Sequence, residues 1–194
     1  MYKKKQAGFS PESTKIKWEK ARPGVPLLRT GDLIFRHGRG VISDIFLSFS
    51  RRDPKYSHAG IIHVENNGEV YVYHAIGGEE NPTSKIRKDR LSVFCNPNDV
   101  HSFGIYRLDL NRLQLQRADS IANAWYTGGL EFDTKFDLNT NDKMYCSEFI
   151  YKIILQATGD QNYLPLTTVS GITYVSCDNL YLNSRSSFIY SYRY

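Results

Sequence analysis

Three side chains have the type and setting that nucleophilic chemistry requires: Cys146, His58 and His74. Cys146 opens the run YCSEFIYKIILQA (145–157), in which Phe149, Ile150, Ile153 and Ile154 share one helical face. A helix anchored by that face keeps its N-terminus in place. Unpaired N–H groups and the dipole there favour an anion, so a thiol loses its proton more easily. The thiolate is the nucleophile, and an imidazole beside it holds the charge and later protonates a leaving group. The competing reading is that Cys146 is a small buried hydrophobe. Cys177 could also begin a helical turn, but its segment is short and polar and it ranks well below Cys146. Cys95, in the loop-like stretch FCNPND, has no such setting.

The histidines depend on a hairpin. Two strand-like runs, Ser57 to Glu65 and Glu69 to Ile76, flank Asn66-Asn67-Gly68. A two-residue loop would put His58 and His74 on opposite sheet faces. A three-residue loop, with Gly68 in the left-handed conformation, pairs Glu65 with Glu69 and sets His74 opposite Gly60. His58 is then its diagonal neighbour on the same face, within reach of a second imidazole. His63 points to the other side, and His37 and His101 have no partner in this scheme. A strand histidine without further context is a structural or surface residue.

Around these residues the pattern predicts an α+β domain. Residues 11–20 read as a helix with Ser10 as N-cap and Pro11 at its first position. Residues 21–30 read as extended chain and 32–36 (DLIFR) as a short buried strand. Val41 to Ser50 carries apolar residues at 42, 45, 46 and 49, a stripe expected to face the core. A strand over 102–108, helices over 113–125 and 145–157 (the latter closed by Gly159), a turn at 177–182 and a strand over 187–193 complete the reading. Segments 78–100 and 159–176 read as loops. The charged run with Glu79, Glu80, Lys85, Arg87, Lys88 and Arg90 is read as a solvated face, or as a site for a charged substrate.

The segments GDLIF (31–35), SHAGII (57–62) and YHA (73–75), in that order, resemble the core of NlpC-type papain-like hydrolases. In ordinary members of that family the nucleophile helix precedes these strands. Here the matching helix, MYCSEFIYK (144–152), follows them, which resembles the circularly permuted branch that includes the YiiX-like group and the lecithin retinol acyltransferase-like proteins. The resemblance spans about residues 30–155. It implies a papain-like fold, with an antiparallel sheet or partial barrel and the cysteine helix packed against it, and one domain over 1–194 with residues 1–29 as an extension. It also implies Cys146 as nucleophile, His58 as base and His74 as the orienting third residue. The YiiX-like group commonly has glutamate at that third position, so His74 departs from it towards a Cys-His-His pattern.

The resemblance implies a cysteine peptidase or amidase acting on a cell-wall peptide or related amide. The alternatives are an acyltransferase or lipid amidase, and a binding module on a disabled papain-like fold. An open polar cleft would favour the first; a long apolar groove with a membrane-contacting rim would favour the second. The Cys146 N–H would supply part of an oxyanion hole, with Tyr56 or Tyr145 as the other donor. Asp32, at the start of a buried strand, suits a structural hydrogen bond.

Composition bounds the rest. At 194 residues, 41% hydrophobic and 23% charged, the chain fits one soluble domain with a real core. The net charge of +5 owes much to Lys3, Lys4 and Lys5, in a segment expected to fray, and no basic stripe with interleaved aromatics points to nucleic acid. No run is long and apolar enough for a transmembrane segment, and the charged start lacks the apolar stretch of a signal peptide. A cytoplasmic protein and an exported one whose leader was removed both fit. Three scattered cysteines, with no CxxC pair, argue against a zinc site or a disulfide framework. No metal or cofactor is expected.

Overall fold

Asn66, Asn67 and Gly68 turn the chain in the three-residue geometry. Gly68 adopts φ 83°, its N–H donates to Glu65 O at 2.9 Å, and Glu65 N–H donates to Glu69 O at 2.9 Å. This sets the register of the central hairpin, with Ile61 opposite Tyr73 and Ile62 opposite Val72. The computed structural model describes residues 10–78 and 81–194; Lys3, Lys4, Lys5, Glu79 and Glu80 lie outside the described residues.

In chain order the elements are α1 (Pro11–Ala21), a 3-10 turn (Arg22–Leu27), β1 (Leu33–Gly38), α2 (Val41–Leu47), β2 (His58–Val64), β3 (Val70–His74), β4 (Arg87–Arg90) and α3 (Leu91–Phe94). They continue with β5 (Val100–Leu108), α4 (Arg112–Thr127), β6 (Glu131–Phe132), β7 (Lys143–Met144) and α5 (Cys146–Thr158). The last are β8 (Thr167–Val169), β9 (Ile172–Tyr174), α6 (Cys177–Tyr181) and β10 (Ser186–Arg193). Six strands form one open antiparallel sheet in the order β10-β5-β1-β2-β3-β4, which does not close into a barrel. This is the α+β, papain-like arrangement expected.

Strand alternation divides the core in two. On one face Leu33, Phe35, Ala59, Ile61 and Tyr73 pack with Phe149, Ile150, Ile153 and Ile154 of α5 and with Ala118 and Ala122 of α4. On the other, Ile34, Ile62, Val72, Phe103 and Ile105 pack with Phe94, Leu91 and Ala21. Each fully buried α5 side chain contributes about 1.5–3 kcal/mol, so the helix is firmly seated on the sheet. At its start Glu148 accepts the Tyr145 N–H at 3.1 Å. At its end Gly159, φ 70°, donates its N–H to Leu155 O at 2.8 Å.

Four expectations need correction. Residues 159–176, read as loop, carry the β8–β9 hairpin, in which Thr167 pairs with Tyr174. Residues 22–27 form a 3-10 turn rather than extended chain. The segment 78–100 is not all loop: Arg87–Arg90 is the sheet's edge strand, where Lys88 pairs with Glu65 at 2.6 Å and Arg90 with Glu69 at 2.5 Å. Charged side chains protect an edge from further pairing, so Arg87, Lys88 and Arg90 of the charged run belong to the sheet. Helix α2 buries none of its residues, and the stripe expected to face the core is turned outward.

Candidate active site

The register brings His58 and His74 together, with His58 Nε2 2.9 Å from His74 Nδ1 and the rings edge to face. His74 Nε2 lies 3.1 Å from Asp89 Oδ2 on the neighbouring strand β4. Arg87 holds the other carboxylate oxygen through Nε and one terminal nitrogen, at 3.1 and 2.8 Å. Phe94 packs against both imidazoles at 5.6 and 5.1 Å. His74 is almost completely buried, and burial depresses its pKa to about 3 against the opposing pull of its hydrogen bond to Asp89. It is therefore neutral at neutral pH. A carboxylate only accepts, so His74 carries its proton on Nε2 and presents a bare Nδ1. His58 must then donate from Nε2, which leaves its Nδ1 for the opposite side.

On that side stands Cys146, the first residue of α5. Its sulfur meets the Cys177 thiol, the His58 ring and the Ala59 N–H. The hydrogen bond from Cys177 is the largest influence holding the Cys146 thiol well below its ordinary range; the charge and hydrogen bond of His58 and the Ala59 N–H add to it, while burial opposes. Cys177 shifts the other way, upward, because it keeps the proton it donates to Cys146 and because it is buried. Cys177 thus serves the sulfur of Cys146 as a donor, a role the sequence did not reveal.

Side-chain bonds hold the two cysteine segments in line. Ser147 Oγ donates to Val175 O at 2.8 Å, and Val175 N–H donates to the Tyr145 hydroxyl at 2.9 Å. Ser176 N–H donates to Asn179 Oδ1 at 2.8 Å, while Asp178 accepts the Arg52 N–H at 2.8 Å and ties α6 to the loop before β2. Cys177 is therefore positioned from both helices.

The sulfurs line a cavity of about 210 Å³ whose remaining wall combines apolar Phe46, Phe49, Phe136, Tyr145, Tyr174, Ile172 and Val175 with polar Ser57, Ser147, Ser176 and Lys135. Phe136 sits 5.5 Å from Phe46 and 5.4 Å from Tyr145, in a turn that Asp133 fastens by accepting the N–H groups of Lys135 and Asp137. Its φ of 57° is unusual for a bulky residue and marks a turn over-determined by its surroundings.

The other candidates are placed elsewhere. Tyr145 borders the cavity. Tyr56 does not line it: its fully buried ring stacks among Phe35, Tyr106 and Tyr181, with its hydroxyl against Gly104. His63 bonds Asp119 on α4 at 2.7 Å, and His37 and His101 face each other at 5.0 Å. Asp32 receives Arg107 at 2.7 Å and the Arg29 N–H at 2.8 Å, a structural role. Cys95 is buried under the Tyr194 hydroxyl, which bonds its carbonyl, and its thiol is pushed upward by burial. Asp89 was missed because it lies in a strand written entirely in charged residues.

The family model of the permuted papain-like amidases, described as YaeF/YiiX, C92 family, matches residues 27–173. No curated protein matches the chain. The match takes in the hairpin, α5 and most of the cavity wall, and it covers well over half of the sequence. The chain belongs to the permuted papain-like amidase family.

Proposed function

We propose that this protein hydrolyses an amide whose acyl part is apolar, using Cys146 as nucleophile. The observation that carries the reading is the Cys146 sulfur, held between His58 and Cys177, opening into an aromatic cavity. The Cys146 thiolate attacks the amide carbonyl carbon, and the C=O π electrons move to oxygen. The Cys146 N–H, in the first turn of α5 where the helix supplies no acceptor, donates to that oxyanion. As the C–N bond breaks, His58 gives a proton from Nδ1 to the departing amine. The thioester left on Cys146 is then attacked by water, whose proton passes to His58. A carboxylic acid and the thiolate are released.

His74 acts as a positioning residue. Buried and neutral, with its own proton committed to Asp89, it accepts the His58 Nε2–H and holds that ring in the tautomer that faces sulfur. Asp89 fixes His74 in turn. A polar cleft suited to charged peptides would support cell-wall peptidase activity, whereas phenylalanine, tyrosine, isoleucine and valine make up the larger part of the wall beside Cys146, with three serines and Lys135 among them, and that apolar part supports an acyl chain.

The test is mass spectrometry of the protein incubated with N-acyl amides of graded chain length and, separately, with muropeptides. The expected result is a transient acyl adduct on Cys146 and release of free acid from the N-acyl amides, both absent in Cys146→Ala. Cleavage of muropeptides with no adduct from any N-acyl amide would overturn the substrate reading. No Cys146 adduct from either class would overturn the mechanism.

A further inference from the structure

Helix α2 leaves most of its apolar side uncovered. Ser43, Phe46 and Leu47 are its half-buried residues, with Ser43 Oγ 2.5 Å from Ser57 Oγ, while Asp44 is exposed and lies 3.4 Å from His37 Nε2. Its other apolar residues face water: Val41 is 73% exposed, Ile42 66% and Ile45 51%. A surface helix normally shows the reverse. Two further apolar protrusions flank it, Phe136 on the Asp133 turn and Ile172 at the tip of the β8–β9 hairpin, the latter 69% exposed. Phe49, also exposed, joins the helix to the hairpin through Tyr174, at 6.1 Å. The three protrusions come from separate parts of the chain, yet Phe49, Phe136 and Ile172 all belong to the wall of the Cys146 cavity. The exposed patch is the rim of the site.

We propose that this rim docks onto the surface of an anionic lipid bilayer. Charge supports that occupant: Arg51, Lys55 and Lys135 are exposed around the patch, on the loop that follows α2 and on the turn beside Phe136. The acids nearby are Asp44, which lies 3.4 Å from His37 Nε2, Asp53 on the loop itself, and Asp137, which accepts the Asn139 N–H; Arg51, Arg52, Lys55 and Lys135 outnumber them. Apolar side chains ringed by cations are the pattern of proteins that lie in a membrane interface without crossing it. Among the described residues no helix is long and apolar enough to cross. A second copy of the chain would cap the mouth and close Cys146 off from substrate. A bilayer covers the same side chains and supplies acyl chains directly into the cavity, with no passage through water. This docking rests on the acyl-amide reading for its purpose, though not for its measurement.

The experiment is vesicle co-sedimentation of the full chain, with phosphatidylcholine vesicles and with phosphatidylcholine–phosphatidylserine vesicles, run on Cys146→Ala so that turnover plays no part. Expected is binding to the anionic vesicles that weakens with salt. Each of Ile42→Asp and Ile45→Asp should lower partitioning by about tenfold, the loss of one buried aliphatic side chain. Lys55→Gln and Lys135→Gln should lower it on anionic vesicles alone. Circular dichroism and thermal unfolding of each variant establish that it remains folded. Absence of sedimentation with either vesicle, or undiminished binding by folded Ile42→Asp, overturns the proposal. So does a dimer in analytical ultracentrifugation that Ile42→Asp disperses, which would make a second copy the occupant. Hydrolysis of a short-chain, water-soluble N-acyl amide by the otherwise wild-type chain carrying Ile42→Asp reports separately on the chemistry, so docking and mechanism fail independently.

Discussion

His74 sits between an imidazole and a carboxylate, 2.9 Å from His58 Nε2 on one side and 3.1 Å from Asp89 Oδ2 on the other. Three adjacent strands, β2, β3 and β4, each contribute one member of this line, so their order across the sheet is also the order of the hydrogen bonds.

Removing the outer end of that line should act through the inner. Asp89→Asn replaces an obligate acceptor with a group that can also donate, which loosens the His74 tautomer and with it the orientation of His58. The expected result is a fall in kcat of roughly 10- to 100-fold with KM nearly unchanged, against roughly 10²–10⁴-fold for His58→Ala. Steady-state kinetics on an N-acyl amide, together with the pH–rate profile, checks this. An unchanged profile in Asp89→Asn would reduce the carboxylate to a structural part.

The two sulfurs can be separated by alkylation. Iodoacetamide across pH should find one fast thiol, Cys146, reacting well below the pH at which ordinary thiols do, because Cys177 donates to its thiolate and His58 pairs with it. In Cys177→Ala the alkylation midpoint of Cys146 moves up, and in His58→Ala the rate falls. A midpoint unmoved by Cys177→Ala would show that the second thiol gives the first no support.

Acid should loosen the fold in a particular window. The His74 pKa lies at about 3, below its ordinary 6.5, so between those values the unfolded chain binds a proton that the native one refuses. The stability this histidine contributes is complete above pH 6.5 and drains away as pH falls towards 3, by an amount on the order of a few kcal/mol. Urea titrations at stepped pH should show a steeper acid loss for wild type than for His74→Gln, whose side chain does not titrate.

Gly60 stands opposite His74, and a Cβ there would come within 2.3 Å of Val72 Cγ1 and 3.1 Å of the Tyr73 carbonyl oxygen. Gly60→Ala should destabilise the protein by about 1–3 kcal/mol through overpacking and should slow turnover as the hairpin shifts. Thermal unfolding beside kinetics measures both. Wild-type stability and rate in this variant would mean the hairpin gives way without disturbing the imidazoles.

Local rules carried much of this architecture into the sequence. The hairpin register was legible because one glycine selects one turn, and the turn selects which histidines meet. Helix α5 was legible because its apolar face is continuous and Gly159 closes it. Asp89 was not, since RKDR at a sheet edge has neither alternation nor β-branched residues to announce a strand. Periodicity identified α2 as a helix with an apolar side but assigned that side to the core, because a periodic pattern does not record what the side meets. The Cys177 contact depends on Val175 bonding Tyr145 and Arg52 bonding Asp178 across long stretches of chain, which no local pattern records.

Chain order has a consequence for biosynthesis. The paired histidines belong to a tight hairpin made early in translation, whereas α5 and then α6 leave the ribosome later. The chain emerges N-terminus first, so both histidines leave the ribosome before the nucleophile, and Cys177 follows Cys146. The Cys146 thiolate therefore gains its full set of donors only when α6, made after α5, settles beside it.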